Sequence, residues 1–325
     1  MKSELNWIKD AVATDNKILD HLRFVLVKDG FVHGYDGRVC AAHPFSDTRT
    51  YLVPMAHFYA AIDRLSGDDE VRIDIAAEAI VVKQGRLRAT IRTLDPVLWA
   101  YAPPKDVKWR PVPQDLIEVF TDLRPFLSDN ASQPWSLGMQ LKNGVLYATN
   151  NVVLAAADLP GAGVPEALIP AWAVDFVCKR AIDLTHWALD ARALYFKWKN
   201  GAWAWAQLIN ATYPETAYGL IAKLPEPSTE IDVAWIEAYN RVVSLGGDYV
   251  KLYPDRIVSQ QDGLIAEEPM ATPAPANGTD DHSAWAIEQL GNVLSCATHW
   301  SPDAFPMPAP FIGPKVRGII VGRRG

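Results

Sequence analysis

A threefold internal repeat constrains this chain more than any other feature, because a recurring unit must bury its apolar face against its neighbours. Segment 24–44, FVLVKDGFVHGYDGRVCAAHP, is matched 114 residues later by 138–158, GMQLKNGVLYATNNVVLAAAD. Lys28-Asp29-Gly30 lies over Lys142-Asn143-Gly144, each between alternating apolar runs. Asp-Gly and Asn-Gly accept the positive φ of a two-residue turn, so both segments read as hairpins. Tyr51-Leu52-Val53-Pro54 then lies over Ala167-Leu168-Ile169-Pro170, and each proline opens a stretch of helical period, MAHFYAAIDRL and AWAVDFVCKRA. Proline suits a first helical position, where its missing N–H has no partner anyway. Alternating strands follow in both copies, with Gly85 and Gly201 in their turns. A third, weaker copy, YVKLYPDRIVSQQDGLIAEEP at 249–269, has Asp255 in place of the turn glycine. It is followed by a helix-like run, HSAWAIEQLGNVLSCA, and by strands around Phe305–Phe311 and Val316–Val321.

Each copy also begins with a helix-like run: ELNWIKDAVA at 4–13, QDLIEVFTDLRPFL at 114–127 and IDVAWIEAYNRVVSL at 231–245. The order helix, strands, helix, strands makes this an α+β chain of three domains, 1–112, 113–222 and 223–325. Proline-rich links suit both borders: Pro103-Pro104 through Pro111 and Pro113, then Leu224-Pro225-Glu226-Pro227. Residues 269–281 read as a polar loop inside the third copy. Asp115, Glu230, Asp232 and Asp281 stand at helix starts, where carboxylates cap free N–H groups.

Hydrophobic residues are 49% of the chain and charged residues 21%, enough apolar material for packed cores. No apolar run reaches the ~18 residues of a membrane span, and the N-terminus lacks a signal core, so a cytoplasmic protein without a membrane partner is expected. Three cysteines, Cys40, Cys178 and Cys296, make no disulfide framework. The net charge of −7 excludes an overall-basic nucleic-acid binder, though not DNA held by a local patch.

Three copies of a two-helix, two-sheet unit resemble the bacterial-type sliding clamp, the β subunit of DNA polymerase III. Leu146-Tyr147-Ala148-Thr149-Asn150-Asn151-Val152-Val153-Leu154-Ala155 resembles that family's Ala-Thr-Asp-Gly-His-Arg-Leu-Ala segment. Gln207-Leu208-Ile209-Asn210-Ala211-Thr212-Tyr213-Pro214-Glu215 resembles the segment that closes its middle domain. Asn150-Asn151-Val152-Val153 departs from Asp-Gly-His-Arg, and the C-terminus, Ile319-Ile320-Val321-Gly322-Arg323-Arg324-Gly325, departs from an apolar Met-Pro-Met-Arg-Leu ending. These departures mark a divergent member, for which a phage is one origin they allow.

The resemblance implies three tandem DNA-clamp domains, each with two helices on the inner face and antiparallel sheets outside, forming half of a ring. It implies a homodimer, a non-enzymatic processivity factor without cofactors, and partners that are double-stranded DNA, a DNA polymerase and a clamp loader. The edge problem of open sheets supports closure independently, since similar units joined head to tail can pair their edges. Two other readings share the repeat: a clamp-like decoy that does not encircle DNA, and a structural repeat protein of a virion or scaffold.

A clamp must hold duplex without gripping it, so contacts go to phosphates through Lys and Arg. Candidates at helix or hole-facing loop positions are Lys9, Lys17, Arg64, Arg124, Lys179, Arg180 and Arg241. The expected helices hold seven Lys/Arg against twelve Asp/Glu, so the hole is expected to be only mildly positive. Arg86, Arg88 and Arg92 fall on one strand face by their even spacing, more simply a soluble outer surface. The resemblance carries a partner-binding cleft onto Ser136, Thr149, Asn151, Val152, Val153, Leu154, Ile221, Val321 and Arg323. Cys40-x-x-His43 and Cys296-x-x-His299 fit zinc spacing, but they sit in non-equivalent places and no metal is expected. Trp187, Trp198, Trp203 and Trp205 read as sheet packing rather than stacking platforms for single strands.

Overall fold

The computed structural model describes residues 1–325 apart from 16–18, 66–70, 102–103, 164, 262, 274, 276–280 and 324–325. The first repeat runs α1 (Lys2–Ile8), β1 (Phe24–Lys28), β2 (Phe31–Tyr35), β3 (Val39–Pro44), β4 (Tyr51–Pro54), α2 (Met55–Asp63), β5 (Arg72–Ile75), β6 (Ala79–Gln84) and β7 (Leu87–Arg92). The second runs β8 (Arg110–Pro111), α3 (Leu116–Leu123), β9 (Gly138–Lys142), β10 (Val145–Thr149), β11 (Val153–Asp158), β12 (Ala167–Pro170), α4 (Ala171–Cys178), β13 (Leu184–Leu189), β14 (Ala193–Trp198) and β15 (Trp203–Gln207), followed by α5 (Glu215–Ala222). The third runs β16 (Thr229–Glu230), α6 (Val233–Val243), β17 (Tyr249–Tyr253), β18 (Arg256–Gln261), β19 (Leu264–Pro269), β20 (Ser283–Ala286), α7 (Ile287–Cys296), β21 (His299–Trp300), β22 (Ala309–Ile312) and β23 (Val316–Ile320).

The turn chemistry accounts for the hairpins. Asp29 and Gly30, like Asn143 and Gly144, have positive φ, so β1–β2 and β9–β10 reverse direction in two residues. The run from His282, read as helix throughout, begins with the strand β20 and turns helical only at Ile287. Its apolar residues Ala284 and Trp285 pair with β17, as β4 pairs with β1 and β12 with β9. The region around Phe305 is likewise not strand; β22 starts at Ala309. Asp232 caps α6 by accepting from the Trp235 N–H at 2.7 Å. Asp115 makes no cap; its carboxylate instead accepts from Lys315 at 2.8 Å. Glu230 lies in β16 and Asp281 against His282, so neither caps a helix.

The chain divides into two compact units, each built across a border between repeats. The first comprises 1–112 and 172–208. Its large sheet has the order β4-β1-β2-β3-β15-β14-β13-β8, so the last strand of one repeat's hairpin pair joins the closing strand of the next. A separate three-stranded sheet, β5-β6-β7, completes it. The second unit comprises 113–171 and 209–325 and repeats this design as β12-β9-β10-β11-β23-β22-β21-β16, with a separate four-stranded sheet, β19-β18-β17-β20.

Helices cover one face of each large sheet. In the first unit Leu5, Ile8 and Phe58 are fully buried, and so are Trp187 and, nearly, Trp198. Trp203 and Trp205 stay half-buried beside His33 and Tyr35. In the second unit Leu116 and Phe120 are fully buried, Phe126 packs with Phe311, and Trp235, Trp285 and Trp300 form one aromatic cluster.

Candidate functional site

In the second unit β11 and β23 pair at the border of the second and third repeats, Val153 opposite Ile320 and Leu154 opposite Ile319. Gly318 makes this approach possible: a Cβ there would stand 2.3 Å from the Leu154 carbonyl oxygen. A groove of about 260 Å³ opens beside the joint. Of the residues named from the sequence, Thr149, Asn151, Val152, Val153, Leu154 and Val321 line it. Trp135, Pro214, Thr216, Ala217, Leu220, Pro308 and Ile319 complete it. None of these side chains carries a charge.

The turn at the groove's edge is built by asparagines. Asn151 has φ +70°, a conformation that Asn tolerates better than most residues. The Asn150 carboxamide oxygen accepts from the Val152 and Val153 N–H groups at 3.1 and 2.8 Å. Asn150 Nδ2 reaches Gln289 on α7 at 2.5 Å, and Asn151 Nδ2 donates to Gln133. Thr149 Oγ1 donates to the Val153 carbonyl at 2.8 Å. The Val321 N–H closes the turn on the Val152 carbonyl at 2.8 Å.

Three expected cleft residues stand elsewhere. Ser136 is fully buried and its hydroxyl donates to the Gln133 carbonyl. Ile221 lies beneath the groove in an apolar cluster with Leu154, Ala156, Leu168, Tyr213, Ala217 and Ile319. Arg323 stacks its guanidinium on Tyr249 at 4.0 Å, and its N–H donates to the Ala284 carbonyl. Two buried donors in this region have no acceptor among the described residues, Trp135 Nε1 and the Tyr213 hydroxyl. Burial pushes the Tyr213 phenol far up, so it stays protonated.

The expected DNA contacts separate by exposure. Lys9 is exposed on a short 3-10 turn after α1 and stands on the rim of a concavity of about 730 Å³ in the first unit. Arg23, His57 and Arg92 share that rim, and Val12, Phe24, Met55 and Leu94 are among its apolar lining. Arg64 is exposed immediately after α2, and Arg124 is half-buried after α3. Lys179 is exposed with its ammonium 3.7 Å from Asp10. Lys17 lies outside the described residues.

Arg180 does not present its charge to solvent. It is 8% exposed, and its guanidinium donates to Asp10 at 2.9 Å and to the Trp7 and Phe176 carbonyls at 2.7 and 3.1 Å. Desolvation lowers the Arg180 pKa, opposed by Asp10. Burial works against the Asp10 charge, but the hydrogen bond and charge of Arg180, with Lys179 and Lys9, hold the carboxyl below its usual range. Arg241 is exposed but holds Glu268 bidentately, with Glu237 at 3.6 Å. Arg88 and Arg92 share an exposed face of β7, whereas Arg86 belongs to the preceding turn.

Comparison with solved structures gives full-length matches. The chain aligns over 100% of its length with 97% of the Caulobacter crescentus β sliding clamp, at TM-score 0.82 and 15% identity. The DnaN sliding clamp of Bartonella birtlesii, solved bound to griselimycin, gives the same coverage at TM-score 0.83 and 15% identity. The DNA polymerase III β subunit of Pseudomonas aeruginosa gives 0.79 and 14%. The chain has the sliding-clamp fold. No protein-family model matches the sequence, and no curated protein matches it either.

Within the sliding-clamp fold, the sequence placed the β10–β11 turn and the C-terminal strand but missed α5. The signal was there: Pro214-Glu215 is a helix start, and Ala217, Leu220 and Ile221 have helical spacing. Trp135 and Pro308 lie too far away in sequence for any local pattern to join them to the groove. The Cys-x-x-His pairs have ordinary hydrogen bonds. His43 Nε2 lies 3.0 Å from Asn200, and Cys296 Sγ bonds the Val293 carbonyl. Burial pushes the Cys296 thiol up to about 12 and the Cys40 thiol higher still. Among the described residues no group of three or more His, Cys, Asp or Glu could hold a metal ion, and no helix is long and apolar enough to cross a membrane.

Proposed function

We propose that this chain is a DNA sliding clamp, a non-enzymatic processivity factor whose homodimer encircles duplex DNA and tethers a polymerase through the groove beside β11 and β23. In this reading the three repeats, 1–112, 113–222 and 223–325, are three clamp domains. The observation that carries it is the pair of incomplete sheets. The two large sheets arise where β3 meets β15 and where β11 meets β23. By repeat position β19 corresponds to β3 and β11, and β7 corresponds to β15 and β23. Both β19 and β7 are free edges of the small sheets.

A second copy of the chain supplies what each edge lacks. Carrying the two observed registers over, with Ala89 standing where Ala204 and Gly318 stand, sets Leu264 opposite Ile91, Ile265 opposite Thr90, Ala266 opposite Ala89 and Glu267 opposite Arg88. Leu264, Ile265 and Leu87 are 50, 60 and 41% exposed, unusual for apolar side chains on edge strands. Glu267 then stands opposite Arg88, a complementary pair of charges, while Glu268 keeps its bidentate bond to Arg241. Two such joints close a six-domain ring of about 71.8 kDa, twice the 35.9 kDa chain.

Phosphate contacts in the ring rest on Lys9, Arg64, Arg124 and Lys179, with Arg23 and Arg92 beside Lys9. Arg180 and Arg241 serve internal pairs and add little. Such non-specific contacts weaken with salt and permit sliding. A polymerase and a clamp loader reach the ring through short peptide segments seated in the uncharged groove. The test is retention on nicked circular DNA, with release on linearisation, together with mass by light scattering. Ile265→Lys should give 35.9 kDa monomers that no longer stay on the circle. A dimeric Ile265→Lys protein refutes the edge assignment; a wild-type monomer, or equal retention on linear DNA, refutes the ring.

A further inference from the structure

The concavity in the first unit has a composition that phosphate contacts alone leave unexplained. Three cationic side chains, Lys9, Arg23 and Arg92, stand exposed on its rim against one carboxylate, Asp20, which pairs with Arg23. This local excess of positive charge belongs to a chain whose net charge is −7. Holding phosphates at a surface needs only such cations. Below them, however, lies an apolar floor of Val12, Phe24, Met55 and Leu94, and the rings of Tyr59 and His57 line the same cavity. Its volume of about 730 Å³ falls within the ~300–1,000 Å³ of ligand pockets.

We propose that this concavity is a binding site for an unpaired nucleotide of a DNA strand, its base stacked on the aromatic lining above the apolar floor and its phosphates held by the rim. A nucleotide joins a flat face of low polarity to an anion, and the cavity offers a separate region to each. Aromatic platforms beside backbone cations are what single-strand binding uses, and stacking tolerates any base. A free nucleotide shares the chemistry but meets it less well. Cations as exposed as these hold one phosphate weakly, whereas a strand lays successive phosphates across several of them. Every lining residue belongs to the first repeat, so the proposal stands whether or not two chains close into a ring.

The experiment uses the full chain, ¹³C-labelled at the methyls of its five methionines. The probe is a 5′-phosphorylated thymidine tetranucleotide. It is compared with a tetramer of the same backbone lacking bases, with thymidine 5′-monophosphate, and with the peptide acetyl-Glu-Phe-Glu-amide. The Met55 methyl, assigned by its disappearance in Met55→Leu, should shift upfield under the ring current of the bound base. The Met139 methyl, fully buried in the other unit, should stay put. The tetranucleotide should bind about tenfold more tightly than the baseless tetramer. It should also bind more tightly than the monophosphate. Ala56→Trp, at an exposed position of the lining, should fill the cavity and remove both the Met55 shift and the difference between the two tetramers, at unchanged melting temperature. A Met55 methyl that stays put at saturating tetranucleotide refutes the site. A baseless tetramer that binds equally well reduces it to phosphate contacts and refutes the base pocket. A monophosphate that binds equally well makes it a site for free nucleotides, and a peptide that shifts Met55 at lower concentration makes it a peptide site; either result overturns the proposal.

Discussion

Removing Arg180 should unlatch α1 from the segment that follows α4. The guanidinium makes three hydrogen bonds, to Asp10, the Trp7 carbonyl and the Phe176 carbonyl, and stacks 3.9 Å over the Phe176 ring. Breaking a buried ion pair costs about 3–5 kcal/mol when one partner is left behind. Asp10 retains 34% exposure and can rehydrate, so Arg180→Met should fall near the lower end, at about 3 kcal/mol. Asp10→Asn leaves the less accessible charge, with Arg180 8% exposed, and should cost at least as much. The double variant should recover part of the loss, a coupling of more than about 1 kcal/mol. Urea unfolding gives the total, and hydrogen exchange of peptides covering 2–11 locates it in α1. The pH dependence has a fixed sign. Because Asp10 titrates below its unfolded value of ~3.9, the pair contributes fully above that pH. The contribution disappears as pH falls through the depressed value, so wild type and Asp10→Asn should converge in acid. Additive single effects, or losses under about 0.5 kcal/mol, would refute this account.

Gly318→Ala puts a methyl 2.3 Å from the Leu154 carbonyl oxygen and 2.6 Å from Phe311, so the β11–β23 joint must shift; a cost of about 1–3 kcal/mol is expected in denaturant titrations, and a neutral variant would contradict the close approach. Leu220→Asp, on the groove rim and 50% exposed, should weaken polymerase binding by about thirtyfold at unchanged melting temperature, measured by calorimetric titration. Ile221→Asp, 5% exposed under the groove, should instead unfold the unit, so it cannot serve as a binding test. Burial, aided by Lys28, pushes His33 down to about 4. Its NMR titration should therefore show a midpoint near 4, and the native state should lose stability as pH falls from ~6.5 towards that value, the range in which only the unfolded His33 takes a proton.

The hairpins were legible because they rest on local chemistry. Asp29-Gly30 and Asn143-Gly144 can only turn, and the alternating runs on either side then pair in register. Where the local signal was mixed, the reading slipped. Ala284 and Trp285 belong equally to an apolar helix face and to a buried strand, and pairing with Val250 and Lys251 decided for the strand. Asp115 has the identity and position of a cap, yet Lys315, 200 residues away, offered its carboxylate a charged partner. Arg180 shows the same limit: a basic residue at a helix end reads as a surface charge until Asp10, Trp7 and Phe176 close around it.

The site divides along the same line. Thr149, Asn151, Val152 and Val153 were found because one turn carries them, and Val321 because the chain ends in a strand whose partner the repeat supplies. Trp135, Leu220 and Pro308 were out of reach, since only the folded sheet joins them. The repeat itself carries more than either list. A unit that pairs β3 with the following unit's β15, and β11 with the following unit's β23, has a direction. Written three times, it leaves one edge of each kind over, and in the proposed ring copies join head to tail through these edges. Head-to-tail joining ends in a closed ring or an open filament, and the angle between successive units decides which. Two chains of three repeats close into a ring only if the angles along one chain, together with the joint to the next chain, add up to half a turn. Lengthening the β6–β7 turn by two glycines after Gly85 keeps both edges but loosens the orientation of β7 at that joint. Rings should then give way to a spread of larger species in light scattering, and a variant that stays uniformly dimeric would show that the angle is fixed elsewhere.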